Sequence, residues 1–299
     1  MIEVLSPGAW TTIQDQGRYR LSHLGISAGG AADPISLRLA NLLVENPPHA
    51  AAIEMTAIGG KFRFQKAVTF ALMGGDFAPT LNGQRIAIGQ SFLAESGSVL
   101  ELSQARKGIR AYLAVAGGII TPMILGSRSS LGLEKLQAGD LIPVGESKTK
   151  SFWRTSFELC LAPSQILRFT EGADWELFSA DAHQRLTSET FIVSPQSNRQ
   201  GIRLQTSLEG SLDLEERLTE GVCWGTLQVP PSGKPIILMN DLQTTGGYAQ
   251  IAQVIKADFS GLGQCRPGCG LRFEKISLEE AWAEAVALEE RLKASLERL

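Results

Sequence analysis

The stretch 61-KFRFQKAVTFALM-73 decides the fold class of this chain. It holds two short apolar runs, Lys61–Phe64 and Val68–Met73, separated by three polar or small residues. Short apolar runs with alternating character are typical of β-strands, whereas a helix needs apolar residues three or four positions apart. The stretch therefore predicts two strands of a mainly β protein.

Runs of the same kind recur along the chain, and glycine, asparagine or proline separates them. Asn82-Gly83 is typical of a tight hairpin turn, and Pro231–Gly233 is typical of a turn between strands. Many closely spaced strands with few helices favour a β-barrel or sandwich over alternating strands and helices. The further predicted strands are Ser98–Leu102, Arg110–Val115, Ile166–Phe169, Phe191–Val193, Ile202–Leu204, Thr226–Val229, Ile236–Met239 and Leu271–Phe273.

Two helices are predicted from their capping residues. Asp33-Pro34 places an N-cap residue before a proline at the first helical position, and Pro47-Pro48 is expected to stop that helix. Ser277 and Glu280 have the spacing of a capping box at the start of a C-terminal helix. An apolar stripe on this helix either docks on its own domain or contacts a second protein chain. Its members are Leu278, Trp282, Ala285, Leu288, Leu292, Leu296 and Leu299.

Length and composition restrict the class of protein. The chain has 299 residues, of which 43% are hydrophobic and 20% charged, and its net charge is −3. These values predict a folded protein with a sizeable core, and they disfavour nucleic-acid and membrane-surface partners. The first residues lack the pattern of a signal peptide, and four cysteines are too sparse for a disulfide framework. A cytoplasmic location is therefore expected.

The domain organisation is predicted from one polar stretch, residues 145–150. It indicates a boundary near residues 145–155. We expect an N-terminal β domain over residues 1–150, a second β domain over residues 151–276 and a C-terminal helix over residues 277–299. Two domains fit the length of the chain.

Signatures of several common enzyme classes are absent from the sequence. It contains neither GxxxxGK[ST] for phosphates nor GxSxG for a serine nucleophile. The three histidines lie far apart, and Cys265 and Cys269 have no second cysteine pair or nearby histidine to complete a zinc site. We expect no metal site, assign no catalytic residue and expect no turnover from the chain alone.

A polar, glycine-rich segment that follows a predicted strand is the first candidate binding site. Its aspartate is placed to accept from the N–H of a planar amide, while threonine and backbone N–H groups donate to the amide oxygen. The alternative is a turn in which these side chains only cap one another. The candidate substrate-binding residues are Gln228, Asp241, Gln243, Thr245, Gly246, Gly247 and Tyr248.

Arginines supply the remaining candidate binding residues. Arg199 and Arg203 flank Gly201 at the start of a predicted strand, where two guanidinium groups are suited to clamp a carboxylate or phosphate. The alternative is that both form surface ion pairs. Arg128 lies among hydroxyl side chains in the segment Leu125–Ser130, and residues Gln14–Arg18 form a further polar cluster.

Eight of the segments occur in the order of one known family. They are Gln14–Arg18, Gly29–Pro34, Gly74–Asp76, Tyr112–Gly118, Leu125–Ser129, Arg199–Leu204, Gly225–Pro231 and Asp241–Tyr248. Over about residues 3–276 the chain resembles the allophanate hydrolase subunit 2 family, also described as biotin-dependent carboxyltransferase family proteins. Its members include the C-type subunit of 5-oxoprolinase, KipA-like proteins and part of the carboxyltransferase region of urea carboxylase.

The resemblance implies a fold, a reaction and partners. It implies cyclophilin-like β-barrel domains and a subunit-1-type partner (B-type or KipI-like) on a separate chain, and it leaves open a third partner of the lactam-utilisation type. The implied reaction is ATP-dependent hydrolysis of 5-oxo-L-proline to L-glutamate, or a related biotin-dependent carboxyl transfer of the allophanate hydrolase type. ATP is then used by the complex at an unassigned site, and any biotin is carried on another chain.

A different class of function stays open beside the role in an enzyme complex. A KipA-like regulator would antagonise a kinase inhibitor by binding another protein. Peptidyl-prolyl isomerisation is suggested only by the analogy of fold, and a fold does not by itself give an activity.

Overall fold

The computed structural model describes residues 1–130, 134–147, 151–159, 161, 164–208 and 218–299. Contacts divide the chain into two compact units. Unit 1 comprises Met1–Arg18, Gly29–Leu161 and Glu290–Leu299, and unit 2 comprises Tyr19–Ala28 and Ala162–Glu289. The domain boundaries expected from the sequence stay a prediction, and residues 148–150 of the expected boundary lie outside the described residues.

Unit 1 is built on two β-sheets. Its first twelve strands are β1 (Ile2–Ser6), β2 (Trp10–Gln14), β3 (Ala52–Thr56), β4 (Lys61–Phe64), β5 (Val68–Asp76), β6 (Thr80–Leu81), β7 (Gln84–Arg85), β8 (Ser91–Ala94), β9 (Val99–Glu101), β10 (Lys107–Val115), β11 (Leu141–Ile142) and β12 (Trp153–Thr155). The first sheet has the order β11-β1-β4-β9-β6-β7, and the second has the order β2-β3-β10-β5-β8.

A hydrophobic core in unit 1 draws alternate side chains from both sheets. Phe62 and Phe64 of β4 and Phe70 and Leu72 of β5 are all buried in one cluster. The rings of Phe64 and Phe70 stack with centroids 5.1 Å apart, a favourable aromatic geometry. The two strands predicted from residues 61–73 are therefore confirmed, because their alternation fills this core.

The first helix, α1 (Pro34–Leu42), begins where the sequence predicts it. The side chain of Asp33 accepts from the backbone N–H of Ser36 at 3.0 Å, which satisfies a free donor of the first turn. The helix ends at Leu42, several residues before Pro47-Pro48. The side chain of Asn46, which lies between the helix and the prolines, donates to Val115 O at 2.8 Å.

Unit 2 is built on a seven-stranded sheet of order β14-β21-β13-β20-β17-β18-β15. Its strands and those of a separate two-stranded pair (β16 with β19) are β13 (Ser164–Glu171), β14 (Phe191–Ile192), β15 (Gly201–Arg203), β16 (Glu220–Gly221), β17 (Thr226–Val229), β18 (Ile236–Leu238), β19 (Thr245–Gly246), β20 (Ala249–Val254) and β21 (Gly270–Lys275). Two short helices, α2 (Ala180–Ser188) and α3 (Phe259–Gly263), accompany it. The pairing of β13 with β21 is parallel.

The last helix, α4 (Leu278–Ala294), has the predicted capping box. Ser277 N donates to Glu280 Oε2 at 2.8 Å, and Glu280 N donates to Ser277 Oγ at 3.1 Å. Of the predicted apolar stripe, Leu288 and Leu292 are buried, whereas Trp282 is 76% exposed.

The apolar stripe predicted that the chain stays helical to its last residue, but helix α4 ends at Ala294. Leu296–Arg298 forms a strand, β22, that pairs antiparallel with β12. Pairing supplies these residues with backbone partners that a fraying helix end lacks. Leu296 and Leu299 are therefore not part of the helical stripe.

The prediction of a mainly β fold with few helices and a C-terminal helix is confirmed. The more specific cyclophilin-like classification stays a prediction. Within the described residues, no helix is both long and apolar enough to cross a membrane.

Gly74 permits a close approach between two central strands of unit 1. Its φ is +101°, and a Cβ atom there would overlap the carbonyl oxygen of Arg110 on β10. The register between β5 and β10 shifts between Lys107 and Ala111, as in a β-bulge. The sequence motif Gly74–Asp76 therefore has a structural explanation, since glycine alone tolerates this backbone at this distance.

We expect Gly74→Ala to destabilise the protein more than Gly83→Ala does. Both residues have positive φ, but a Cβ on Gly83, in the hairpin turn, meets nothing within 4 Å. Each substitution introduces the strain of a left-handed residue, about 1–2 kcal/mol. Only Gly74→Ala adds overpacking, roughly a further 1–3 kcal/mol. Urea unfolding of the two variants measures the difference, and equal losses would contradict the close approach.

Candidate functional site

The 241–248 segment, Asp241–Tyr248, lies after strand β18 and beside strand β17 in unit 2. The side chain of Gln228, on β17, is buried and donates to Tyr248 O at 3.3 Å. A Cβ on Gly246 would come within 2.8 Å of Gln228 Nε2, so the absence of a side chain at Gly246 makes room for this amide. The structure thus brings together Gln228, Gly246 and Tyr248, which the sequence proposed as one site.

Asp241 and Arg199 form a two-pronged ion pair in unit 2. Arg199 Nε donates to Asp241 Oδ2 at 2.8 Å, and Arg199 Nη2 donates to Asp241 Oδ1 at 3.0 Å. The side chains are only 11% and 20% exposed, so solvent screens the pair weakly. The carboxylate of Asp241 is thereby fixed in orientation, while the remaining lone pairs of its oxygens can accept further donors.

The sequence left two roles open for Asp241, ligand binding or turn capping, and two for Arg199, an anion clamp with Arg203 or an ion pair. The turn-capping alternative is not seen, because the hydrogen bonds to the Asp241 carboxylate within the described residues come from Arg199 rather than from the loop N–H groups. Arg203 is exposed on β15 and shares no such contact with Arg199. The anion clamp formed by Arg199 and Arg203 stays a prediction.

The remaining residues of the segment are open to solvent. Gln243, Thr245, Gly247 and Tyr248 are all exposed, and Tyr248 is 45% exposed. Their polar groups are available to a ligand, whereas Gln228 contributes from beneath. The segment therefore packs on the buried side chain of Gln228 and leaves its own polar groups accessible to solvent.

Sequence reasoning missed Ser27 as a neighbour of this segment. Its Oγ donates to Leu242 O at 2.7 Å, although the two residues are 215 positions apart in the sequence. Residues Tyr19–Ala28 belong to unit 2, together with Leu242. No local pattern indicates such a contact.

Arg128 lies on a loop of unit 1 that a buried carboxylate organises. Asp15 Oδ1 accepts from Ser127 Oγ and Ser129 Oγ, both at 2.6 Å, and from Gly17 N at 2.7 Å. Asp15 Oδ2 accepts from Arg128 N at 2.6 Å. The polar clusters at residues 14–18 and 125–130, which are separate in the sequence, are therefore one structure that fixes the backbone of Arg128.

Shifted pKa values occur outside the 241–248 segment. Burial, aided by the neighbouring Glu54 carboxylate, raises the pKa of Tyr112 well above its usual value. A hydrogen bond from Cys265 lowers the pKa of the Cys269 thiol. Among the residues that the structure describes, no group of three or more His, Cys, Asp or Glu side chains is arranged to hold a metal ion.

Comparison with known proteins identifies related chains. The family model for the carboxyltransferase domain, subdomain A and B, matches residues 24–275. The C-type subunit of the Escherichia coli 5-oxoprolinase is 38% identical, with 94% of this chain and 93% of the relative aligned. The protein of the same name from Haemophilus influenzae is 34% identical over the same shares. The family resemblance drawn from the motifs is confirmed by these similarities.

Solved structures of larger proteins contain the same fold. The urea carboxylase of Kluyveromyces lactis superposes with a TM-score of 0.88 at 27% identity, covering 97% of this chain and 29% of that one. The protein TTHA0988 superposes with a TM-score of 0.82 at 34% identity, covering 91% of this chain and 55% of that one. This chain thus spans about half of TTHA0988 and less than a third of the urea carboxylase.

We expect a double-mutant cycle to show that Arg199 and Asp241 stabilise the fold as a pair. Arg199→Gln and Asp241→Asn should each lower the free energy of unfolding by about 1.5–3 kcal/mol, since hydrogen bonds to charged groups are lost. The double variant should lose less than the sum of the two, which urea denaturation measures. Arg203→Gln is the control, with an expected change within about 0.5 kcal/mol at an exposed position. Additive single effects would show that the pair contributes nothing as a pair.

Proposed function

The chain belongs to the carboxyltransferase domain family, subdomains A and B, and we propose that within this family it is the C-type subunit of a 5-oxoprolinase complex. The observation that carries the proposal is similarity along nearly the whole of two proteins named as that subunit. The urea amidolyase of Saccharomyces cerevisiae is 29% identical, but this chain spans only 17% of it. The similarity therefore favours a 5-oxoprolinase subunit over a urea-processing enzyme.

The proposed reaction converts 5-oxo-L-proline, ATP and water to L-glutamate, ADP and phosphate. Water adds to the lactam carbonyl carbon, the C–N bond breaks, and the ring nitrogen leaves as the amine. Amide resonance makes that carbonyl a weak electrophile, which is why ATP is needed. ATP use is assigned to the complex and to no residue of this chain, and a subunit-1-type protein on a separate chain is the proposed partner.

The 241–248 segment is the proposed contact with the lactam. The Asp241 carboxylate, held by Arg199 in a fixed orientation, accepts from the ring N–H. The exposed Tyr248 hydroxyl donates to the ring carbonyl oxygen, where charge develops when water adds. Gln228 supports the backbone of Tyr248 from below, and its role in binding the substrate stays a prediction.

Reconstitution tests the proposed function. The chain is purified alone and together with the subunit-1-type and lactam-utilisation-type proteins encoded in the same genome, and glutamate release from 5-oxoproline is measured with and without ATP. We expect turnover only in the complete mixture with ATP. Turnover by the isolated chain would overturn the proposed dependence on partners. A stable complex that never releases glutamate would favour the regulatory alternative.

We expect Tyr248→Phe to lower kcat/KM of the reconstituted complex by roughly two- to tenfold. The reason is the loss of one neutral hydrogen bond, which contributes about 0.5–1.5 kcal/mol. The thermal melt should not move, because the hydroxyl lies on an exposed side chain. Tyr19→Phe removes the hydroxyl of a second exposed tyrosine, outside the 241–248 segment, and is the matched control. Unchanged kinetics in Tyr248→Phe would remove this hydroxyl from the site.

A further inference from the structure

A cavity of about 270 Å³ opens beside Arg128 in unit 1. One part of its wall is polar and contains Ser127, Arg128, Ser129 and Ser130. Another part is apolar and consists of Ile13, Pro122, Ile124 and Leu136. A cavity with one polar and one apolar wall is typical of a site for a small molecule that has both characters.

Two polar atoms of the cavity residues are buried without a hydrogen-bond partner in the described part of the chain. They are Arg128 Nε and Thr121 Oγ1. A buried donor left without an acceptor costs free energy, so the side chain of Arg128 is not fully satisfied by the described part of the protein.

The backbone of Arg128 is held in place although its side chain lacks an acidic partner among the described residues. Asp15 accepts from Arg128 N and from the hydroxyls of Ser127 and Ser129 on either side of it. The backbone of the loop is thus positioned before any ligand arrives, so binding does not have to order it. The planar guanidinium group of an arginine is suited to a carboxylate.

The net charge of the side chains around the cavity indicates which ligand charge it favours. Glu134 and Lys135 both line it and are both exposed, so their opposite charges offset one another, and the charges of the buried Asp15 and Arg18 beside the same loop do so too. Arg128 then leaves one net positive charge, which suits a monoanion better than a dianion. Lys135 also lies over the Trp10 ring, with Nζ 5.6 Å from the ring centroid, so its ammonium group is partly engaged elsewhere.

We propose that this cavity binds a small organic monocarboxylate, with Arg128 holding the carboxylate and the apolar wall packing against the body of the molecule. A cavity of about 150 Å³ accommodates benzene, so this cavity has room for a carboxylate on a ring of that size. The proposal concerns unit 1 alone and does not depend on the proposed reaction at the 241–248 segment.

Binding of benzoate and its neutral isostere benzamide tests the proposal. Calorimetry or ligand-detected NMR on the full chain should show benzoate binding at least tenfold more tightly than benzamide, as a charge-assisted hydrogen bond implies. Inorganic phosphate should bind more weakly than benzoate because it has no apolar body. Equal binding of benzoate and benzamide, tighter binding of phosphate, or no binding of benzoate would each overturn the proposal.

Variants locate the binding at the cavity. Arg128→Gln should weaken benzoate at least tenfold and leave benzamide unchanged, whereas Arg272→Gln, at an exposed position of strand β21 in unit 2, should change neither. Ile124→Trp, which fills the cavity from a 45% exposed position, should weaken both ligands without removing a charge. This second variant keeps the test decisive if Arg128→Gln does not fold. Benzoate binding that survives both substitutions would place the ligand elsewhere.

Discussion

The buried carboxylate of Glu54 ties helix α1 to the sheet of unit 1. Glu54 Oε2 accepts from the Tyr112 hydroxyl at 2.6 Å and from Ala32 N at 3.0 Å. The Tyr112 hydroxyl in turn accepts from Asp33 N at 2.8 Å, and Asp33 caps the helix. A buried carboxylate that lost these donors would be strongly destabilising. The start of α1 and two central strands, β3 and β10, therefore depend on one another.

Asp15 is a second buried carboxylate that accepts several hydrogen bonds, and it holds a loop in place where Glu54 holds the start of a helix. Its carboxylate gathers donors from Gly17 and from residues 127–129, and Arg18, which is buried, donates to the Ile124 carbonyl at 3.4 Å. Both networks use an acidic side chain inside the protein as an acceptor for backbone N–H groups that have no strand partner. Two of the sequence motifs, Gln14–Arg18 and Leu125–Ser129, are the two halves of this one arrangement.

Local patterns predicted the elements of the fold well, because strand alternation, the Asn82-Gly83 turn and the two helix caps depend on neighbours in the sequence. The ion pair of Arg199 with Asp241 was not predicted. An ion pair was left open as the alternative role of Arg199, but Asp241 was not indicated as its partner, because nothing local shows that positions 42 apart meet. The strand β22 was missed for the same reason: its apolar residues continue the helical spacing, and only pairing with β12 overrides it.

The parallel pairing of β13 with β21 has a consequence for how the chain folds. The pairing aligns Glu171 and Lys275 at neighbouring positions, and these two form an ion pair although they are 104 residues apart in the sequence. Contacts of such long range make folding slow, because loop-closure entropy is lost before the contacts form. During synthesis on the ribosome, β13 leaves the exit tunnel well before its partner exists. One edge of this strand therefore stays unpaired until β21 has been made, and an unpaired strand edge is a template for association with another chain.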